Sequence, residues 1–508
     1  MGYIKGQDRK EIIQMPDSIE DYVSEENLER VIEAFIEETD LKELGFTKAI
    51  PAQLGRPSYS AADLTKLYVY GYMNRVRSSR RLKAEAERNV EVMWLLKKLT
   101  PDHRTISTFR KDNAKALKNL FKEFVRICND LGLYGKELAG IDGSKFSAVN
   151  SNDRNFNKEK LSYKINNIDK QIEKYLEGLN EQDEAEDEIE KNEFKGSIKE
   201  VIEQLKARKE KYQEYAQKLE ESGETQISQT DPESRRMVSQ GKSDISYNVQ
   251  QSVDSKHKLI SAFDVTNSAN DKKQLKNMVE ATEQALGTKA TAMLLDKGYD
   301  NASEIAACLM AGYEVHVMGT DFDICLPQFE EEESSPSEIT EHKDGRSVYL
   351  PELNLALCPM GKILYPSSYK KSKGVAIFRN GKSCTLCRCK CTKSPYKNFE
   401  IKMPKHKFTK VYNSQNFSIR QVRIKADKEL CKHRKSLAEH PFGTIKRNMD
   451  AEYFLTKGLI KVSGELSLTY LAYNLKRAIS VLGVKTLIHA LKNRNNPNYP
   501  NGALAIAA

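Results

Sequence analysis

The chain has 508 residues, 39% of them hydrophobic and 30% charged, and its 81 Lys and Arg against 72 Asp and Glu leave a net charge of +9. That is apolar material for roughly two to four domains, which excludes a fully disordered chain. No run of about 18 apolar residues argues for a membrane-spanning helix. The odd count of nine cysteines and a first stretch without an apolar signal core argue against a secreted disulfide scaffold.

Charge is unevenly distributed. Residues 1–50 carry a net of −7, whereas 51–130 and 401–450 each carry +9. A polyanionic partner is therefore read from those two blocks and not from the total. The first block is helical. Ser60 is an N-cap with Asp63 three residues on, and Leu64, Leu67, Tyr68 and Tyr72 follow at helical spacing. Arg75, Arg77, Arg80 and Arg81 come next, then a helix carrying Val90 and Trp94. A single periodic stretch, Thr105–Cys128, follows the break at Pro101-Asp102. Two readings stand: a helix-turn-helix-like DNA-binding module, or a helical bundle with a solvated basic face.

At Leu138-Ala139-Gly140-Ile141 the pattern turns to strand and ends at Asp142-Gly143. Residues 158–222 hold 31 charged residues out of 65, with apolar residues at a and d spacing in two arms, which indicates an antiparallel coiled-coil hairpin. The acidic stretch 181–190 and Gly196 fall between the arms. Strand patterns resume at Ser246–Val253 and Lys258–Val265. A helix over Lys273–Leu286, a buried-type strand at Thr291–Leu295 ending on Asp296, a helix over Asn301–Ala311 and a strand at Glu314–Met318 follow. This is a mixed α/β layer. Residues 321–415 break the rhythm with short strands and a cysteine cluster, and helical character returns at Lys425–Asn448 and Gly464–Leu482.

Two aspartates share one setting. Asp142 and Asp296 each end an apolar strand and are closely followed by a glycine, Gly143 or Gly298. Strand ends of an open α/β sheet collect reacting groups, and two carboxylates there repel unless a cation neutralises them. They are either metal ligands or ordinary turn residues. Glu439 is a lone acid in a strongly basic stretch. Cys384, Cys387 and Cys391, with Cys358 upstream, suit a structural zinc clip or are reduced thiols; residues 370–397 hold nine bases and no acid, which favours a DNA-contacting segment.

Several segments, in order, resemble the bacterial insertion-sequence DDE transposases, most closely the insertion-sequence group numbered eleven eighty-two. They are Tyr59-Ser-Ala-Ala-Asp-Leu64, Pro101–Arg110, Gly140-Ile-Asp-Gly-Ser144, Asp231–Met237, Tyr247-Asn-Val-Gln250, Leu295-Asp-Lys-Gly-Tyr299, Glu439–Lys446 and Asn474-Leu-Lys-Arg477. The resemblance implies an RNase H-like mixed sheet flanked by helices. It implies that Asp142, Asp296 and Glu439 hold two Mg²⁺ or Mn²⁺ ions, and that Lys446 contacts DNA phosphate. Related chains carry Tyr and Arg seven and four residues before the Glu; here those positions are Lys432 and Lys435, and Arg434 stands one residue away.

The expected organisation is a helical DNA-binding module over 1–130, a catalytic core over 131–157, 223–320 and 416–490, a coiled-coil insertion over 158–222, a β-rich Cys-containing insertion over 321–415 and a tail over 491–508. Arg75, Arg77, Arg80, Arg81, Arg110, Arg434, Lys435 and Lys446 are the expected DNA contacts. The expected activity is cleavage at the terminal inverted repeats of an element and joining of the freed 3′-hydroxyl to target double-stranded DNA. The expected actor is a homodimer assembled on DNA, cytoplasmic and nucleoid-associated. A DNA endonuclease of the same fold without strand transfer, and a non-catalytic DNA-binding protein, are the alternatives.

Overall fold

The computed structural model describes residues 18–50, 57–182, 188–239, 241–319, 321–327, 340–341, 348–350, 355–358, 363–380, 384, 397–413, 419–425 and 427–494. Six helices come first: α1 (Leu28–Glu37), α2 (Ala61–Met73), α3 (Ser79–Arg88), α4 (Val90–Leu95), α5 (His103–Asp112) and α6 (Ala114–Asp130). Ser60 caps α2 by accepting the Asp63 N–H at 3.0 Å, and Asp102 caps α5. The stretch expected as one helix over Thr105–Cys128 is broken at Asn113. That buried amide accepts the Thr47 N–H at 2.7 Å and donates to the Phe109 carbonyl at 2.9 Å, so the chain turns there.

The central sheet is built on β1 (Leu138–Ser147), which runs antiparallel to the long β5 (Lys242–Asp254). The far edge of β5 is shared by β4 (Arg235–Ser239) and β6 (Ile260–Thr266), both antiparallel to it. On its other side β1 runs parallel to β7 (Ala292–Leu295), and β7 runs parallel to β8 (Val315–Val317). All four residues of β7 are buried, as expected for a parallel strand covered on both faces.

One face of the sheet packs Ala139, Ile141, Met293 and Leu295 against α9 (Leu275–Leu286) and α10 (Ala302–Met310). The other face shares a single large core with the N-terminal helices and the long helix Leu459–Leu482. The N-terminal helices are thus packed into the same core as the sheet. Inside that core, the Asn474 side chain mimics a strand. It accepts the Ile260 N–H at 2.9 Å and donates to the Ile260 carbonyl at 2.8 Å, while Arg477 donates twice to the His257 carbonyl.

Between β2 (Asn155–Phe156) and β3 (Ile227–Ser228), which pair with each other, rise α7 (Lys158–Gln182) and α8 (Glu188–Ser222). Ion pairs Lys158–Glu220 and Asp169–Lys209 fix them antiparallel, over a core of Leu161, Ile168, Tyr212 and Leu219. Gly196 lies inside α8 and not in the turn. Further along, strands Asp321–Pro327 and Ile419–Lys425 pair with each other, bracketing a separate sheet with its own small core. No helix among the described residues is long and apolar enough to cross a membrane.

Replacing Asn474 by Leu removes both partners of a buried backbone N–H and C=O. A buried group left unsatisfied costs about 1–3 kcal/mol, so Asn474→Leu is expected to lose roughly 2–5 kcal/mol of unfolding free energy in a denaturant titration. A loss below about 0.5 kcal/mol, the usual size for an indifferent surface change, would contradict this role.

Candidate active site

The parallel register of β1 and β7 pairs Leu138 with Ala292 and Gly140 with Leu294. Two residues further on, the same register brings Asp142 level with Asp296. Asp296 follows the last residue of β7. Asp142, contrary to the sequence reading, does not end its strand: β1 stays paired to β5 through Asp142 and Gly143 and runs on to Ser147, and only its parallel pairing with β7 stops at Gly140. Each aspartate is pinned by the backbone after it: Asp142 Oδ1 accepts the Gly143 N–H at 2.9 Å, and Asp296 Oδ1 accepts the Gly298 N–H at 2.6 Å. The glycines are required by space. A Cβ on Gly143 would lie 2.5 Å from Gln250 Nε2 and 2.7 Å from Asp271 Oδ1, and one on Gly298 would lie 2.8 Å from Asp296 Oδ1.

Glu439 arrives from a helical segment that crosses the sheet. It runs through α-helical Lys428–Arg434, a π-helical turn Lys435–Glu439, α-helical His440–Gly443 and a second π-helical turn Thr444–Asn448. Two features loosen the regular ladder there. Pro441 has no N–H to give back to residue 437, and the Ala438 carbonyl accepts the buried Gln251 Nε2 at 3.0 Å. A π turn brings residues five apart onto one side. Arg434, five residues before Glu439, therefore comes to the place that Lys435 would take in a regular helix. Arg434 Nη2 lies 3.3 Å from Glu439 Oε1 and Nη1 lies 3.7 Å from Asp142 Oδ1. The exposed Lys435 points elsewhere. One guanidinium thus bridges two of the three carboxylates.

Burial pushes the Asp142 carboxyl up to about 7; the fields of Asp296 and Glu439 add to this, against Arg434 and the Gly143 N–H. Among the described residues no three His, Cys, Asp or Glu side chains stand close enough to form a ready-made metal cage. The donor set nonetheless fits a hard divalent cation. It consists of carboxylate oxygens, its most buried member is short of positive charge, and the cation beside it is poorly matched: Arg434 Nη1 is buried and makes no hydrogen bond among the described residues.

Lys446 Nζ donates to Ser144 Oγ at 2.8 Å and to the Lys145 carbonyl at 2.6 Å, and it lies 4.5 Å from the centre of the Phe146 ring. It therefore anchors this segment to β1. Arg75, Arg80 and Arg81 are exposed. Arg77 and Arg110 are not surface contacts, contrary to the sequence reading. Arg77 is buried, donates to the Tyr453 carbonyl at 2.8 Å and sits 3.8 Å from the buried Glu465. Arg110 is buried and donates to Tyr72 Oη at 3.0 Å. Helical spacing alone does not say which face of a basic helix is packed. Cys358 is buried in the small sheet and Cys384 is half-buried, whereas Cys387 and Cys391 lie outside the described residues.

Sequence reasoning missed Gln251, Asp271 and Lys145. Their signal was a polar run, Asn248, Gln250 and Gln251, on a strand whose flanking residues are wholly buried. Tyr247 explains another motif: its hydroxyl donates to Asp231 Oδ1 at 2.8 Å, and Asp231 also accepts the Gly458 N–H at 3.1 Å.

Two family models match the chain. Residues 17–112 match a Transposase domain (DUF772), and residues 357–479 match a Transposase DDE domain. The second span contains Arg434, Glu439 and Lys446 but neither aspartate. No curated protein matches the chain.

Removing the bridging charge should expose the repulsion it relieves. Arg434→Gln is expected to unfold a few degrees earlier than wild type in EDTA, and to gain more from millimolar Mg²⁺ or Mn²⁺ than wild type gains, as read by calorimetry. Equal gains in the two proteins would contradict a cation-seeking carboxylate set.

Proposed function

Because the chain belongs to the insertion-sequence DDE transposases, we propose that it cuts the phosphodiester at the ends of its element and joins the freed 3′-hydroxyl to target DNA. The observation that carries this reading is that Asp142 and Asp296 stand level just beyond the parallel pairing of β1 and β7, with Glu439 linked to Asp142 through Arg434. The sheet, an antiparallel β6-β5-β1 meander continued by parallel β7 and β8, supports an RNase H-like core.

Asp142, Asp296 and Glu439 would hold Mg²⁺ or Mn²⁺, two ions in all. When bound, such a pair supplies an activated water and stabilises the leaving oxygen of a phosphodiester. The chain's own residues do the rest. The Gly143 and Gly298 N–H groups fix one oxygen of each aspartate, so the other oxygen is presented in a set direction. Arg434 neutralises the carboxylates until DNA arrives, and its guanidinium then has a phosphate within its chemistry. Hydrolysis breaks the P–O bond at the element end and leaves a 3′-hydroxyl. That hydroxyl attacks a target phosphorus, with departure of a target 3′-oxygen.

Exposed Arg75, Arg80, Arg81 and Lys435 are the phosphate contacts of the inverted repeats and target, and a homodimer pairs two ends. The DNA-bound form acts in the cytoplasm, at the nucleoid. The antiparallel α7–α8 arm and the β-rich segment extend the surface available to DNA or to the second copy. A zinc clip of Cys358, Cys384, Cys387 and Cys391 would stiffen the latter.

The test is cleavage of end-labelled inverted-repeat DNA with Mg²⁺ or Mn²⁺, followed by joining with pre-cut ends. Asp142→Asn, Asp296→Ala and Glu439→Gln are each expected to lower cutting by at least about a thousandfold, in line with removing a charge-stabilising group from a transition state, with end binding retained. Undiminished cutting by Asp296→Ala would sink the assignment. Cutting without joining would favour an endonuclease.

A further inference from the structure

Beneath Asp142 and Asp296, on the sheet face that packs against α9 and α10, lies a polar network that the proposed reaction does not use. Asp271, in the loop between β6 and α9, accepts from Asn248 Nδ2 at 2.7 Å and from Gln250 Nε2 at 2.6 Å, both on the same oxygen. Both amides are fully buried. Gln250 is held in turn by the Tyr299 hydroxyl, which donates to its Oε1. Asp271 thereby lies against Gly143 and Gly298, the glycines that follow the two aspartates.

The last member is Lys145, three residues beyond Asp142 on β1. Its ammonium is 3.6 Å from Asp271 Oδ1, the same oxygen that already accepts two amides. The side chain is 12% exposed. Burial lowers its pKa, while Asp271, Asp296 and Asp142 act in the opposite sense, so this cation sits within the field of Asp142 and Asp296. An ammonium carries three donors. Here the one ion pair of a largely buried ammonium among the described residues is a long one, to an oxygen that already accepts two amides. As a stabilising ion pair this is a poor arrangement, because desolvation is incompletely repaid. As a preset cation for an incoming anion it is well arranged, because the lysine is already desolvated and its stem is fixed.

We propose that Lys145 clamps a backbone phosphate of the DNA strand entering the site of Asp142 and Asp296, and that Asp271 is the positioning residue that holds its ammonium there. This rests on the DNA-cleaving reading above. It makes the Asn248–Gln250 pair part of the same device: the two amides occupy Asp271, so that Lys145 keeps donors for phosphate.

The experiment measures binding of the full chain to inverted-repeat duplexes in EDTA, so that the DNA stays intact, with a single neutral methylphosphonate at each position around the cut in turn. In wild type one position should weaken binding by about tenfold, the scale of one lost charged contact. Lys145→Gln should bind the unmodified duplex about tenfold more weakly, show no further loss at that position, and have a salt slope shallower by about one. Lys145→Arg should restore the position's sensitivity. Asp271→Asn, which keeps an acceptor for the two amides but removes the charge, should show an intermediate loss at the same position.

A Lys145→Gln protein that keeps the full methylphosphonate penalty and the wild-type salt slope overturns the proposal and leaves the transposase reading intact. So does a Lys145→Gln protein too unstable to assay if Lys145→Arg folds but has lost the sensitivity. A wild-type chain that binds the inverted repeat no better than random DNA overturns both.

Discussion

Like charges held together just beyond the paired length of two parallel strands are the constraint on which the rest of this molecule depends. Asp142 and Asp296 are brought level by backbone register, not by mutual attraction, and Glu439 is brought to them by a segment packed across the sheet. Left alone, such a set pushes its own strands apart. The chain holds it closed with buried apolar strands below, a clamp from Gln251 to the Ala438 carbonyl, the Lys446 bonds to β1, and one guanidinium placed between two of the acids. Stability built elsewhere is thus spent on a site that repels itself, and the Arg434 guanidinium offsets part of that repulsion.

The helical segment that carries Glu439 shows how local irregularity serves this end. A regular helix would turn Lys435 toward the acids and carry Arg434 aside. The π turn reverses that choice and puts a planar fork, not a point charge, at the carboxylates. The cationic side chains then divide by position. Arg75, Arg80 and Arg81 are exposed on α3 and the turn before it, whereas Arg434 and Lys446 are partly buried beside β1 and the acids. Because the N-terminal helices share a core with the sheet and with Leu459–Leu482, a force on that surface is transmitted to the site through packed side chains and not through a linker.

Much of the site was legible in the sequence. An apolar run that reaches Asp with Gly close behind is a local signal at both places, but the Gly143 signal misplaced a strand end, because pairing with β5 carries β1 on to Ser147. Period-two and period-3.6 patterns located the β5–β6 hairpin, β7, β8, α9 and the α7–α8 arm. Local patterns do not report what is far away in the chain. Arg77 and Arg110 look like surface bases because nothing near them reveals Glu465 or Tyr72 as partners. Asp271 lies in a loop without a motif, and its meaning comes from Asn248, Gln250 and Lys145 on two strands. The π turns were invisible because they depend on a proline and on a glutamine from another strand competing for helix bonds.

The central claim is that Asp142, Asp296 and Glu439 form one cation site. Anomalous diffraction from crystals of the chain with inverted-repeat DNA and Mn²⁺ tests it most directly. Manganese peaks are expected within ordinary carboxylate bonding distance, about 2.0–2.2 Å, of oxygens from Asp142 and Asp296, with Glu439 on one of them and Arg434 displaced from Asp142. Peaks only at other carboxylates, or an Arg434 bridge unchanged beside a DNA-bound chain without manganese between the aspartates, would contradict it.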